Sequence, residues 1–74
     1  MDFVVVRDGR PWFLVEAKYG DDTISPALNH YRDQLDVPFA FQVVVEADFV
    51  KADCFVPRPQ PLVVPARTLL SQLL

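Results

Sequence analysis

The chain has 74 residues, 51% of them hydrophobic, and its formal net charge of -3 comes from ten acidic against seven basic side chains. This composition is typical of a globular domain, and the acidic balance argues against tight non-specific binding to nucleic acid. No apolar run approaches the roughly 18 residues of a membrane helix and no signal-peptide pattern is present, so we expect a cytoplasmic protein without a membrane role. A lone cysteine, Cys54, excludes an internal disulfide and a cysteine-based metal site.

Residues 1–74 are expected to form a single domain that packs against something beyond itself. A chain of this size buries only about 60% of its unfolded surface, and no disulfide stabilises this one. Yet it contains six Phe, one Trp and two Tyr besides many Val and Leu. The excess of apolar surface predicts contact with a missing segment or with a second copy, and we expect a homodimer, with exchange of elements as one form of it.

Two apolar segments, 2–7 and 11–17, flank Asp8-Gly9 and predict a β-hairpin, since Asp-Gly is a strong hairpin signal. Both strands are apolar on both faces, which indicates a central sheet covered by helices on two sides. Strict alternation assigns Val4, Val6, Trp12 and Leu14 to one face, and Phe3, Val5, Phe13 and Val15 to the other.

A helix and a third strand are predicted next. Ser25 is the expected N-cap and Pro26 the first helical residue, with Leu28, Tyr31 and Leu35 on the apolar face and Pro38 after the end. Residues 39–46 then form a strand, so that strand, helix and strand predict a right-handed crossover with parallel pairing.

The last third of the chain is less regular. Segment 47–54 gives no clear pattern, and the alternate prolines of segment 55–64 favour an extended edge or strap. Pro65 is expected to start a short helix with an apolar stripe of Ala66, Leu69, Leu70 and Leu73. That stripe either binds a partner or covers the sheet.

Three residues near the hairpin are candidates for chemistry: Asp2, Glu16 and Lys18. Glu16 and Lys18 share a strand face about 6.5–7 Å apart, because strand side chains alternate. Two carboxylates and a lysine at neighbouring strand ends suit a divalent cation and a phosphodiester. The simpler interpretation is a solvated strand end with an incidental Glu–Lys pair.

The length of the hairpin loop decides between these interpretations. A two-residue loop at Asp8-Gly9 places Asp2 on the face away from Glu16, whereas a three-residue loop of residues 7–9 places both on one face. We predict the three-residue loop.

Several stretches together resemble a known family: Asp2-Phe3, residues 11–18 (PWFLVEAK), Ile24-Ser25 and residues 40–44 (AFQVV). They look like the C-terminal module, a domain of unknown function, of prokaryotic AAA-type ATPases, which is similar to the PD-(D/E)xK restriction-endonuclease-like fold. The resemblance covers roughly residues 2–45. It implies an α/β fold, here a partial restriction-endonuclease-like core of antiparallel hairpin, crossover helix, third strand and C-terminal helix.

The resemblance also implies roles for residues. Asp2 and Glu16 would be ligands of Mg²⁺ or Mn²⁺, Lys18 the catalytic lysine and Gln42 an auxiliary polar residue. The family's core begins with a helix and a strand before the hairpin, and no Walker motif occurs here, so the chain resembles a truncated piece. We therefore expect a non-catalytic binding or assembly module whose partner is a second copy, an ATPase or another protein. The alternative is a Mg²⁺-dependent DNA phosphodiesterase.

The remaining reactive or aromatic side chains are interpreted structurally. His30 is expected to be an exposed helix residue, Cys54 a buried or edge thiol and Trp12 a core residue. Asp21 and Asp22 are expected to serve the N-terminus of the helix that follows.

Overall fold

The structure, a computed structural model, describes residues 3–20 and 23–73. Its described part is a four-stranded mixed sheet with two helices. In chain order the elements are β1 (Phe3–Arg7), β2 (Arg10–Lys18), α1 (Pro26–Leu35), β3 (Phe39–Val44), β4 (Leu62–Pro65) and α2 (Ala66–Ser71). The strands lie in the order β1-β2-β3-β4, with β1 antiparallel to β2 and the other pairs parallel. The α/β class, the hairpin, the crossover helix and the parallel third strand are confirmed.

The hairpin loop has two residues, so the predicted three-residue loop is wrong. Arg7 pairs with Arg10, which leaves only Asp8 and Gly9 in the turn, at φ values of 54° and 76°. Two consecutive positive φ angles are those of a type I′ turn, whose twist matches that of the strands it joins. Asp and Gly tolerate this left-handed region at low cost, and the tight turn therefore prevails over the longer bulged loop.

A β-bulge then changes the register of the hairpin. Val6 pairs with Pro11 but Val5 pairs with Phe13, so Trp12 is the extra residue of β2. The predicted strict alternation is therefore wrong at Trp12, which packs against the same core cluster as Phe13. A bulge moves a side chain to a new direction without lengthening the partner strand.

Helix α1 covers one face of the sheet through a single buried side chain. Leu28 packs there with Leu14, Val37 and Ala40, and all four are almost fully buried. The helix bounds were predicted well, but Tyr31 and Leu35 are 39% and 42% exposed, contrary to the expected apolar stripe. Arg32 is instead half-buried, because its guanidinium reaches two backbone carbonyls, those of Pro38 and Arg58.

The opposite face holds the larger core cluster. Phe13 lies in its middle, with ring centroids 5.4 Å from Phe41 and 5.7 Å from Phe55. Trp12 stacks on Phe55 at 5.1 Å. Edge-to-face and offset aromatic pairs of this kind add to the free energy gained from apolar burial. The segment around Phe55 is a turn, and only Leu62–Pro65 of the predicted extended stretch is a strand. This turn covers the sheet on the side of α2, as a strap.

Helix α2 starts at Ala66, one residue after the predicted Pro65, which ends the edge strand β4. Leu69 is buried, but Leu70 and Leu73 are 58% and 40% exposed, so only part of the predicted stripe covers the sheet. The polar residue Thr68, which is not part of that stripe, is fully buried.

Two polar side chains of the α2 region hold the irregular segment 48–54. The Thr68 hydroxyl accepts the N–H of Val50 at 3.0 Å and donates to its carbonyl at 2.7 Å. The Gln72 amide accepts the N–H of Cys54 at 2.9 Å and donates to the carbonyl of Ala52. These two side chains supply the hydrogen bonds that a neighbouring strand would otherwise provide. The backbone N–H and C=O groups of this irregular segment therefore have partners.

Among the described helices, neither has the length and apolarity required to cross a membrane.

Candidate functional site

The candidate residues Glu16, Lys18 and Gln42 lie near the carboxyl ends of β2 and β3, on the face covered by α1. Gln42 is the direct register partner of Glu16, and Lys18 pairs two positions further with Val44. Since alternate residues of a strand share a face, the ladder brings these three side chains to one side of the sheet. Asp2 lies outside the described residues, as do Asp21 and Asp22.

Gln42 fastens the loop between β2 and α1 to the sheet. Its Oε1 accepts the backbone N–H of Ser25 at 2.8 Å, and its Nε2 donates to the carbonyl of Thr23 at 2.7 Å. The side chain is 0% exposed. A buried amide that serves both a backbone donor and a backbone acceptor replaces the hydrogen bonds that the loop would otherwise make with water.

Glu16 is joined to the same loop. Its side chain is only 8% exposed and is hydrogen-bonded to Ser25. Ser25 is the N-cap residue of α1, as predicted, but its side chain makes no capping bond to the helix backbone. The interpretation of a solvated strand end is therefore wrong for Glu16, because its carboxylate forms part of a buried polar network.

The environment of Glu16 lowers the pKa of its carboxyl group. Burial acts in the opposite direction and is the largest single influence, but hydrogen bonding, including that with Ser25, and nearby positive charge, including that of Lys18, prevail. Lys18 is half-buried, and its carbonyl accepts the N–H of Val45 at 2.8 Å, which continues the β2–β3 pairing. Glu16 is thus ionised at neutral pH, as a metal ligand or an ion-pair partner must be.

The described residues do not by themselves complete a metal site. Within residues 3–20 and 23–73, no group of three or more His, Cys, Asp or Glu side chains is placed to hold an ion. Glu16 shares its surroundings with an amide and a lysine, and Gln42 is engaged with the loop backbone. Glu16 and Gln42 therefore anchor the β2–α1 loop to the sheet through a charged, hydrogen-bonded cluster.

Sequence reasoning missed the partners of this cluster, which are backbone groups of Thr23 and Ser25. The only available signal was the glutamine in the otherwise apolar stretch FAFQVVV, because a buried polar residue needs a partner. Of the other assignments, Cys54 is buried and His30 is exposed, both as expected. Trp12 is half-buried within the core cluster, with the Arg7 guanidinium 4.9 Å from its ring centroid.

Comparison with protein-family models, with curated proteins and with solved structures gave no significant match.

The lowered pKa predicts how acid affects stability. Because the folded-state pKa of Glu16 lies below its ordinary value of 4.5, ionised Glu16 stabilises the fold at neutral pH, and this contribution is lost as pH falls below that value. We expect Glu16→Gln to be less stable than the wild type at pH 7 and to approach it at pH 3. Urea midpoints measured across this range test the prediction. Glu46→Gln, which neutralises an exposed carboxylate, should show the same pH dependence of the urea midpoint as the wild type. The wild-type pH dependence in Glu16→Gln would contradict the prediction.

Proposed function

We propose that this chain is a non-catalytic binding and assembly module built on a restriction-endonuclease-like α/β core. The hairpin whose second strand ends in Glu16-Ala17-Lys18, followed by a crossover helix and a parallel strand that carries Gln42, supports this origin. The engagement of Glu16 and Gln42 with the loop supports the loss of catalysis, since both side chains serve the fold.

The observation that carries the assembly role is an apolar hollow beside α2. It has a volume of about 230 Å³, and every side chain that lines it is apolar. The sheet contributes Val5, Val15 and Val43, while α2 contributes the exposed Leu70 and the chain just after it the exposed Leu73. Apolar surface without a polar group gains free energy only when another apolar surface covers it.

A second copy is the partner that we propose for this surface. Leu70 and Leu73 line the hollow and are 58% and 40% exposed, so a two-fold axis can pack these side chains of each copy against the hollow of the other. An apolar cavity of about 150 Å³ accepts a group the size of benzene, so a hollow of this volume has room for one or two leucine side chains. An ATPase or another protein with an apolar helix is the other partner that fits.

Charge on this surface should therefore abolish the dimer. Leu70 is 58% exposed, so Leu70→Glu should fold, but it would place a carboxylate against an apolar partner. We expect the wild type to sediment as a dimer at micromolar concentration and Leu70→Glu as a monomer. Analytical ultracentrifugation with matched circular dichroism spectra makes the measurement.

The matched control is Leu35→Glu on α1, on the other face of the sheet. Leu35 is 42% exposed, and we expect its charged variant to remain dimeric. A strictly monomeric wild type at all concentrations would overturn the proposal of self-assembly. A dimer that both substitutions leave intact would place the interface elsewhere.

A Mg²⁺-dependent DNA phosphodiesterase is the second candidate, because the bulge at Trp12 shifts the register that the two-residue loop alone would give. Phe3 pairs with Val15, so the described start of β1 lies beside the residue that precedes Glu16, and Asp2 precedes Phe3 in the sequence. Calorimetric titration with Mn²⁺ separates the two candidates: binding that is lost in Glu16→Gln supports the nuclease, and no binding in the wild type supports the module.

A further inference from the structure

Strand β1 forms one edge of the sheet, and among the described strands it has a single neighbour, β2. Its five residues, Phe3–Arg7, are apolar except for the last, and the Val6 side chain is 59% exposed. The opposite edge strand, β4, has four residues, with Pro65 at its end and Pro61 just before it. Proline has no N–H for pairing and is a common means of protecting a sheet edge, so β4 is protected and β1 is not.

The backbone groups that point out from this edge are those of Val4 and Val6. Arg7 and Arg10 flank the two-residue turn, and in such a hairpin this pair exchanges both backbone hydrogen bonds. Val6 therefore turns its N–H and C=O away from β2, which agrees with its register partner Pro11, a residue without an N–H. The extra residue of the bulge belongs to β2, so the alternation along β1 continues and Val4 also points outward.

We propose that β1 pairs antiparallel with β1 of a second copy, with Val5 at the two-fold axis, so that the two sheets become one. Val4 of each copy then lies opposite Val6 of the other, and their outward N–H groups donate to each other's carbonyls. This pairing rests on the self-assembly proposed above and specifies its geometry, because Val5 also lines the apolar hollow beside α2. A two-fold axis perpendicular to the sheet places the hollows of both copies on the same side, where they adjoin at Val5.

The charge on β1 favours a second copy in the antiparallel direction. Arg7, beside the turn, is the charged residue of the strand. Parallel pairing in register would bring the two Arg7 side chains next to each other, and like charges so placed destabilise a sheet. Antiparallel pairing about Val5 instead separates the two Arg7 residues by about 14 Å along the strands. The edge is therefore complementary to itself.

Hydrogen exchange followed by nuclear magnetic resonance tests the pairing in the full chain. In a monomer the amides of Val4 and Val6 face water, whereas the amide of Val5 points to β2. We expect the Val4 and Val6 amides of the wild-type dimer to exchange more slowly than those of an unfolded chain, by about tenfold or more. In Leu70→Glu, the variant expected to be monomeric, this protection should be lost at Val4 and Val6 and kept at Val5.

Sedimentation of two variants at position 6 tests the same hydrogen bonds. Val6→Pro removes an outward N–H, and an edge strand tolerates proline where the N–H faces solvent. Val6→Thr is the matched variant, since it keeps the N–H and a branched side chain. We expect the dimer of Val6→Pro to dissociate at a concentration about tenfold or more above that of Val6→Thr, because each of the two copies loses a donor.

Failure of edge pairing and failure of the proposed self-assembly give different results. A wild-type dimer whose Val4 and Val6 amides exchange as fast as those of an unfolded chain would overturn edge pairing and leave assembly through the hollow intact. Equal dimerisation of Val6→Pro and Val6→Thr would have the same meaning. A strictly monomeric wild type would overturn both. If Val6→Pro does not fold, the exchange rates of the wild type decide alone.

Discussion

Replacement of Phe13 by alanine is expected to unfold most of the protein at room temperature. Phe13 is 2% exposed, and its ring meets those of Trp12, Phe41 and Phe55 edge-on at 5.0 to 5.7 Å between centroids. Truncation of a buried phenylalanine costs about 3–5 kcal/mol. A small domain has a free energy of unfolding near the lower end of about 5–15 kcal/mol, so little or no stability would remain. Urea denaturation followed by Trp12 fluorescence and circular dichroism measures the loss.

Phe49→Ala is the matched control for this prediction. Phe49 is 57% exposed, so its truncation should change the free energy of unfolding by no more than about 0.5 kcal/mol. Phe13→Leu keeps much of the volume and should fall between the two. If Phe13→Ala retained the wild-type urea midpoint, the aromatic cluster could not be the main source of stability.

Replacement of Gln42 by leucine should cause the second largest loss and should release the β2–α1 loop. Leucine fills a similar volume but leaves the N–H of Ser25 and the carbonyl of Thr23 without the acceptor and donor that Gln42 supplies. Groups left unsatisfied on burial cost about 1–3 kcal/mol each, and exposure of the loop to water offsets part of this, so we expect a loss of about 2–3 kcal/mol. Urea denaturation gives the free energy, and hydrogen exchange at the Ser25 amide reports the loop.

The control for Gln42 is Gln34→Leu, because Gln34 is an exposed residue of α1. It should leave both the urea midpoint and the exchange rate of the Ser25 amide unchanged. Unaltered exchange at Ser25 in Gln42→Leu would show that the amide of Gln42 does not hold the loop.

Local signals in the sequence were sufficient for the elements around the hairpin and α1. Asp8-Gly9 specifies the turn because both residues accept positive φ angles, and Ser25-Pro26 starts the helix because Pro26 needs no N–H partner there. Strand, helix and strand in this order also predicted the parallel pairing of β2 and β3. Each of these depends on a few adjacent residues, or on a general rule of chain connection.

Local sequence signals could not predict the register of the hairpin. Neither loop length considered from the sequence gives the pairing of Val5 with Phe13, because the bulge at Trp12 shifts the ladder after the turn. Its physical reason lies in distant residues, since Trp12 packs on Phe55, far along the chain in the strap. A one-residue shift of this kind changes which side chains share a face.

The sequence by itself determined the α/β class, the hairpin and the crossover helix, and it named Glu16, Lys18 and Gln42 as candidates for a cluster. Only the tertiary structure decided what that cluster does, because the partners of Gln42 lie 17 and 19 residues away and are backbone groups that no side-chain pattern reveals. The same holds for Leu70 and Leu73, which the helical stripe assigned either to a partner or to the sheet and which the structure leaves exposed. Periodicity gives the direction of a side chain on its helix, but the position of the helix over the sheet determines whether anything covers it.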